Sequence, residues 1–421
     1  MTKILRVLAM SAIAVATVTA TAKEKSNVNT IKTTISDKSI VYPESFETDT
    51  KAMMNNWYLK NYTVLDTYVD NTENVQVSDD VYITRLQAMP TTIEMPFNSV
   101  VKNYIEMYVN RRRTLVEEML GMSLYYMPIF EDALERQGLP LELKYLPVIE
   151  SALNARATSR AGAAGLWQFM VPTGRLYGLE VNSLVDERRD PLKASDAAAR
   201  YLRDLYNIYQ DWHLVIAAYN CGPGNVAKAT RYAGGGKKDY WQIYPYLPSE
   251  TRSYVPIFIA ANYVMNYYRE HNMCPMQPTV TVATDTIMVD KRINLQQVSE
   301  LLNISLDELR FLNPQYRQDI VPGNIKPYPL VLPFNQLSAY IDNRDTIPLH
   351  RAAELVANRA EVQPAQYNPS SDGRVTYYKV RSGDTLGGIA ARYHCTVNQI
   401  KRWNGLRGSM IRIGQRLKIY R

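Results

Sequence analysis

The sequence predicts a mainly α chain, with an all-helical domain followed by two small β-α-α-β modules. Three observations carry that expectation. Apolar residues recur at helical spacing between Phe97 and Asn272, with no alternating strand pattern among them. After Pro275-Met276-Gln277-Pro278 the pattern changes, and Thr279–Val289 is rich in β-branched residues. The segment that follows then repeats near the C-terminus, where LQQVSELLNISLDELRFLNP from Leu295 lies without a gap over LGGIAARYHCTVNQIKRWNG from Leu386.

Taken in order, MTKILR, a short apolar run and Ala20-Thr21-Ala22 read as a secretory signal peptide over residues 1–22. The run is too short for a comfortable membrane span, and no other stretch approaches one. No cysteine stands near the cleavage point, so a lipid anchor is not expected. Residues 23–96 are polar and partly helical, the first part reading as a disordered lead and Lys51–Tyr68 as a possible helix. The helical domain spans 97–272. Val101, Tyr104, Ile105, Tyr108 and Val109 share one face of its first helix, which Gly138-Leu139-Pro140 ends. Further helices are expected at about Leu141–Leu153, Ala164–Tyr177, Pro191–Tyr209, Trp212–Tyr219, Pro223–Arg231 and Glu250–Glu270. The first module occupies 279–335 and the second 375–421. In the repeat Leu295 pairs with Leu386, Val298 with Ile389, Ser305 with Thr396 and Asn313 with Asn404. The matched N-cap and helix-ending Asn make chance pairing of two amphipathic helices a poor explanation. Residues 336–374, polar with Pro and Ser, read as a linker.

Composition bounds the function. The 421 residues are 46% apolar and 21% charged, which excludes a disordered chain, a collagen and a disulfide-stapled miniprotein. A net charge of +7, two units of it in the leader, argues against nucleic acid and suits a loosely anionic polymer. Cys221, Cys274 and Cys395 are far apart, as are the four histidines, so neither a metal site nor a cofactor is expected. Tyrosine is in excess, 31 against 7 Phe. A ring with a hydroxyl tip suits wet sugar grooves, and Tyr240, Tyr244 and Tyr246 are plausible groove walls.

One acid stands out. Glu150 closes the almost wholly apolar LKYLPVIESAL, where burial would raise a carboxyl pKa and suit it to donate a proton. The small-residue stretch Ser159–Gly165 leads into Leu166-Trp167-Gln168-Phe169-Met170, an aromatic-amide combination of the sort that lines sugar sites. Later comes Ala218-Tyr219-Asn220-Cys221-Gly222-Pro223-Gly224, a helix end with a tight turn.

The order IES, SRAGAAGLWQFM, AAYNCGPGNV, LPSETRSYVP resembles the lytic transglycosylases of the goose-lysozyme-like fold, most closely the membrane-bound lytic murein transglycosylase D type. The resemblance covers about Phe97 to Glu270. It implies a lysozyme-like catalytic domain acting on peptidoglycan glycan strands. By it Glu150 matches the catalytic acid and base, Gln168, Tyr219 and Asn220 match saccharide-contacting or transition-state-stabilising positions, and Tyr254 matches a tyrosine near that acid. Ser151 and Gly165 match positions that shape the cleft. Glu250, Arg252 and the charge cluster Asp186 to Asp190 read as structural. The segment 375–421 is similar to a LysM module, a peptidoglycan and chitin binder. Gly383, Asp384, Thr385 and Leu386, with Asn404, Gly405 and Leu406, match its two sugar-groove loops. In the first module Asp290-Lys291-Arg292-Ile293-Asn294 stands where that Ser-Gly-Asp-Thr turn would be, which leaves sugar binding or a purely structural role open. The implied function is cleavage of the MurNAc–GlcNAc bond to 1,6-anhydro ends in wall remodelling, by an exported protein of the periplasm or cell envelope. The alternatives are a hydrolytic muramidase using Asp186, Glu187 or Asp190 to position water, and a non-catalytic envelope-binding protein.

Overall fold

The computed structural model describes residues 30–47, 63–64, 73–277, 283–356 and 375–420, apart from residues 38, 40, 382, 383, 394, 396, 407, 409, 410 and 413. The expected leader 1–22 lies outside them, as does the expected helix Lys51–Tyr68, except that Thr63–Val64 form a short strand (β1). Contacts divide the chain into two units, residues 1–359 and 360–421.

The first unit opens with a helical turn over 30–34 and the short helix α1 (Glu44–Glu47), then α2 (Asp79–Ala88) and α3 (Ser99–Glu106). Asn98 starts α3 by accepting from the free backbone N–H groups of Val100 and Val101. The long α4 (Arg113–Glu135) follows, and Gly138 in the left-handed conformation ends the run. The short α5 (Leu146–Ser151) stands on a 3-10 turn at Leu141–Tyr145. The expected helix Ala164–Tyr177 is only half present. Residues 164–169 form turns, with Ala164 and Phe169 bonded to each other through both backbone pairs, and α6 (Val171–Leu176) begins after them. Gly162 and Gly165 adopt left-handed backbone there, which a helix cannot continue through.

Then come α7 (Pro191–Tyr209), capped by Asp190, α8 (Trp212–Cys221), α9 (Pro223–Tyr232), the short α10 (Tyr240–Ile243) and α11 (Ser249–Tyr267). Helix α11 is apolar on nearly every face, and accordingly it runs buried through the core against α3 and α8. Tyr240 and Tyr244 are also core residues, at 0% and 3% exposure, so they are not groove walls. Tyr244 stacks on Trp241 and Tyr240 meets both rings edge-on, and the hydroxyls find partners inside: that of Tyr240 donates to Arg252 O and that of Tyr244 to Asp37.

The chain leaves this domain through β2 (Met276–Gln277), which pairs with β1. The first module follows as β3 (Thr284–Val289), β4 (Arg292–Asn294), α12 (Leu295–Leu302), α13 (Leu306–Leu312), β5 (Ile320–Pro322) and β6 (Tyr328–Pro333). Strands β3 and β6 pair antiparallel, as do β4 and β5. The expected linker does not begin at residue 336. Helix α14 (Leu337–Asp342) and α15 (Ala352–Leu355) fold back on the module, and Tyr340, Ile347 and Leu355 are buried. The sparse apolar residues of this polar stretch are the ones the module needed to close its core.

The second unit repeats the pattern with β7 (Val375–Lys379), α16 (Leu386–Arg392), α17 (Val397–Asn404) and β8 (Arg416–Tyr420), β7 and β8 pairing antiparallel. Among the described residues no helix is long and apolar enough to cross a membrane.

Candidate active site

A cleft of about 580 Å³ opens on the helical domain, with Glu150 in its lining. Glu150 sits in the last turn of α5, just before Ala152 and Leu153, both left-handed at φ 49° and 60°. That backbone is costly for residues with a Cβ and turns the chain abruptly after the acid. Burial pushes the Glu150 carboxyl up to about 7. The hydroxyl of Tyr254 donates a hydrogen bond to its Oε1 and pulls the other way, and the charge of Glu250 adds to the rise. Its place at the C-terminal end of a helix disfavours the anion further.

Four other expected residues meet it. Gln168, at φ 46°, projects from the 159–170 turn, its amide donating to Gly165 O at 2.8 Å. Tyr219 and Asn220 come from the last turn of α8. The Tyr219 hydroxyl donates to Trp167 O at 2.7 Å, and Asn220 Oδ1 accepts from the Thr251 hydroxyl at 2.8 Å. Tyr254 comes from α11, 104 positions from its carboxyl partner. Burial holds the hydroxyls of Tyr219 and Tyr254 well above the ordinary phenol range, with Glu150's charge adding to it, so both stay donors.

Ser151 and Gly165 stand behind the wall. Ser151 is buried, with its hydroxyl 3.0 Å from Leu166 O and 3.1 Å from Pro147 O, so it pins α5 to the turn. Gly165 lies at φ +84°, and a Cβ there would sit 1.8 Å from Arg188 O. The cluster at 186–190 is buried structure. Arg188 chelates Asp186 through two 2.8 Å bonds, Glu187 pairs with Lys193, and Asp190 caps α7. None of these three carboxylates lines the cleft, so the candidates for positioning a water are elsewhere.

Sequence reasoning missed several lining residues. Glu250 faces the cleft from the first turn of α11, and Tyr201 reaches it beside Tyr219, ring centroids 5.4 Å apart. One wall is Val41, Pro43 and Glu44 of the N-terminal strap. Ser45 Oγ donates to Ile149 O at 2.9 Å, Arg160 N donates to Glu44, and Asp37 pairs with Arg252 at 2.9 Å. The strap has no periodic signal because it is held by single side-chain bonds along an irregular path. Glu250, the single carboxylate of LPSETRSYVP, reads from the sequence as structural, and the fold places it at the cleft.

In the second unit the expected groove residues are partly used inside. Asp384 accepts from the Tyr378 hydroxyl and Arg381 N, and Thr385 Oγ accepts from Gly388 N. Leu386 is core. The Asn404 amide exchanges two bonds with Lys418 of β8, as Asn313 does with Val331 of β6 in the first module. Gly405 is exposed at φ 62°, Leu406 is half-buried, and Gly383 lies outside the described residues. Among the described residues no group of three His, Cys, Asp or Glu could hold a metal.

Residues 127–242 match the model of the transglycosylase SLT domain. Residues 283–349 match that of the lytic transglycosylase MltD LysM-like domain, and 378–419 that of the LysM domain. The chain is 30% identical over 330 residues to membrane-bound lytic murein transglycosylase D of Escherichia coli K12, covering 77% of this chain and 70% of that one. A 48-residue stretch is 48% identical to the autolysin of Enterococcus faecalis, over 11% of this chain and 6% of that one. Among solved structures, the 70-kDa soluble lytic transglycosylase of Escherichia coli superposes with a TM-score of 0.30 at 26% identity, over 34% of this chain and 24% of that one.

Proposed function

The chain belongs to the lytic murein transglycosylases of the D type, and from that premise we propose that Glu150 is its single catalytic acid and base. The enzyme is a lytic transglycosylase with peptidoglycan as its substrate. In the proposed reaction protonated Glu150 donates to the oxygen of the β-1,4 bond between MurNAc and GlcNAc, and the GlcNAc end departs. The MurNAc acetamido group assists at C1. The Glu150 carboxylate then takes the proton of the C6 hydroxyl, whose oxygen closes on C1. A 1,6-anhydro-MurNAc end forms, Glu150 regains its proton, and no water is consumed.

The observation that carries this reading is the partly buried Glu150 carboxyl, pushed up to about 7 and bonded by Tyr254. Near neutral pH it is present in both forms, as a group that must give and then take a proton requires. Gln168, Tyr219, Asn220 and Tyr254 supply neutral amide and hydroxyl groups that orient the sugar ring. The hydrolytic alternative loses the residues expected to position its water, because Asp186, Glu187 and Asp190 are engaged away from the cleft.

The domain reading is 97–272 for the catalytic domain and 375–421 for a LysM module that tethers the enzyme to glycan through its 383–386 and 404–406 loops. Matches at 127–242 and 378–419 support it. Residues 1–22 direct export to the periplasm or envelope. Mass spectrometry of products from purified sacculi tests the whole: anhydro ends are expected, reducing ends would mean hydrolysis, and no release would leave only binding.

A further inference from the structure

The first module spends both loops that would face a sugar. Its 290–294 segment, in the place of the second module's 381–385, pairs through β4 at 292–294 with β5, Ile293 opposite Val321, and both side chains are buried. The same segment is covered from outside. Asn294 donates to Leu355 O, Gln297 to His350 O at 2.6 Å, and Lys291 pairs with Asp345. Its other loop, 313–317, is bonded to the catalytic domain. Asp186 N donates to Gln315 O at 2.8 Å, Arg317 N donates to Leu184 O at 2.7 Å, and Val185 bridges Tyr316.

The docking is continuous with the module's core. Leu184 and Val185, 3% and 1% exposed, pack among Val289, Leu295, Leu309 and Tyr328. At the rim Tyr328 and Lys326 both bond Glu180, at 2.8 and 2.7 Å.

The docked 180–190 loop carries Arg188. Beyond its pair with Asp186, this guanidinium donates through Nη1 to Gly162 O and Phe169 O, each at 2.9 Å. Those carbonyls begin and end the turn that brings Gln168 into the cleft, and the Arg188 carbonyl abuts Gly165 too closely for any Cβ. A path of backbone bonds and the buried Asp186 and Arg188 side chains therefore joins the module to the cleft wall.

We propose that the first module is a positioning element of the active site: docked through residues 315–317 onto the 180–190 loop, it fixes Arg188, which ties down the turn carrying Gln168. The module acts on the reaction by geometry, and it binds no glycan in its closed groove. Residues Leu184, Val185, Asp186 and Arg188 are positioning residues. The inference rests on the cleft around Glu150 being the active site.

The test is made in the full-length chain with two variants, Val185→Asp, which breaks the dock, and Arg188→Lys, which keeps the charge against Asp186 and loses the carbonyl ties. Turnover is measured on short soluble glycan strands, which need no tether, well below each variant's melting temperature. Backbone hydrogen exchange over 159–170 is followed in parallel. Both variants are expected to lose turnover by roughly 10- to 100-fold, the range a displaced contact group costs, with faster exchange at Ala164 and Phe169. Binding to sacculi should stay at the parent level. Turnover within twofold of the parent in either folded variant overturns the proposal. If Val185→Asp does not fold, Arg188→Lys decides alone. A Glu150→Gln variant that stays active would instead sink the active-site reading, whatever the docking variants do.

Discussion

The hydroxyl of Tyr254, on the long buried helix α11, donates to the carboxyl of Glu150 at the end of the short helix α5. The bond favours the carboxylate, while burial of the same group favours the acid, and the balance leaves the pKa at about 7. An acid poised there serves both half-steps of the proposed reaction.

Replacing Glu150 by Gln should lower the release of anhydro products by at least about 10²-fold. It should also change stability with pH. The folded pKa lies above the unfolded value, so the ionised form is penalised. That penalty is absent below about pH 4.5 and complete above about 7. Glu150→Gln should therefore melt with the parent at pH 4 and above it at pH 8, by on the order of 2 kcal/mol after allowance for partial exposure. Thermal melts across that range, beside product assays, check both halves.

Tyr254→Phe removes a hydrogen bond that favours the carboxylate. Glu150 should then hold its proton to higher pH, moving the alkaline limb of the kcat/KM profile upward. The lost positioning should cost roughly tenfold at the optimum. An unmoved alkaline limb would separate Tyr254 from the titration of Glu150.

Glu118 on α4 is 3% exposed, its Oε2 has no hydrogen-bond partner among the described residues, and burial, with the Glu117 charge behind it, raises its carboxyl to about 7. It lies outside the cleft lining. Glu118→Gln should stabilise the protein above pH 7 by about 1–2 kcal/mol and leave turnover unchanged. Calorimetry at pH 5 and pH 8 would show the gain only at the higher value.

The strap is anchored where Asp37 meets Arg252 and the Tyr244 hydroxyl. Burial opposes ionisation of Asp37, but its bonds from Ser39 and the Arg252 charge outweigh it and hold the carboxyl below its ordinary range. Asp37→Asn should loosen the wall formed by Val41 to Glu44. KM on soluble strands should rise about fivefold, the equivalent of about 1 kcal/mol, with kcat nearly constant. Initial-rate kinetics read the split directly.

Removing residues 375–421, which lie within the separate unit 360–421, should weaken co-sedimentation with sacculi by about tenfold or more through loss of the tether. Turnover on short soluble strands should stay within about twofold. A matching loss on the soluble substrate would give the unit a part in the chemistry itself.

The sequence by itself determined the mainly α class and the repeated helix pair with its outer strands, though not the inner pair β4 and β5 of the first module, and it singled out Glu150 as the expected acid. Those are local signals: helical periodicity, caps such as Asn98 and Asp190, a repeated core pattern, and one carboxyl after an apolar run. It also marked Gln168, Tyr219, Asn220 and Tyr254, which the fold brings to one cleft from three separate segments. Only the tertiary structure decided what those side chains do with their hydrogen bonds. Ser151 and Gly165 went behind the wall, Asn404 went to its own strand, and Tyr240 and Tyr244 went to the core. It alone placed the unpatterned strap at the cleft and folded 337–355 back onto a module that reads as ending before it. The reason is physical. Periodicity records which face of an element is buried, whereas partners distant in sequence, such as Arg188 and Phe169 or Asp186 and Gln315, are chosen by where elements meet.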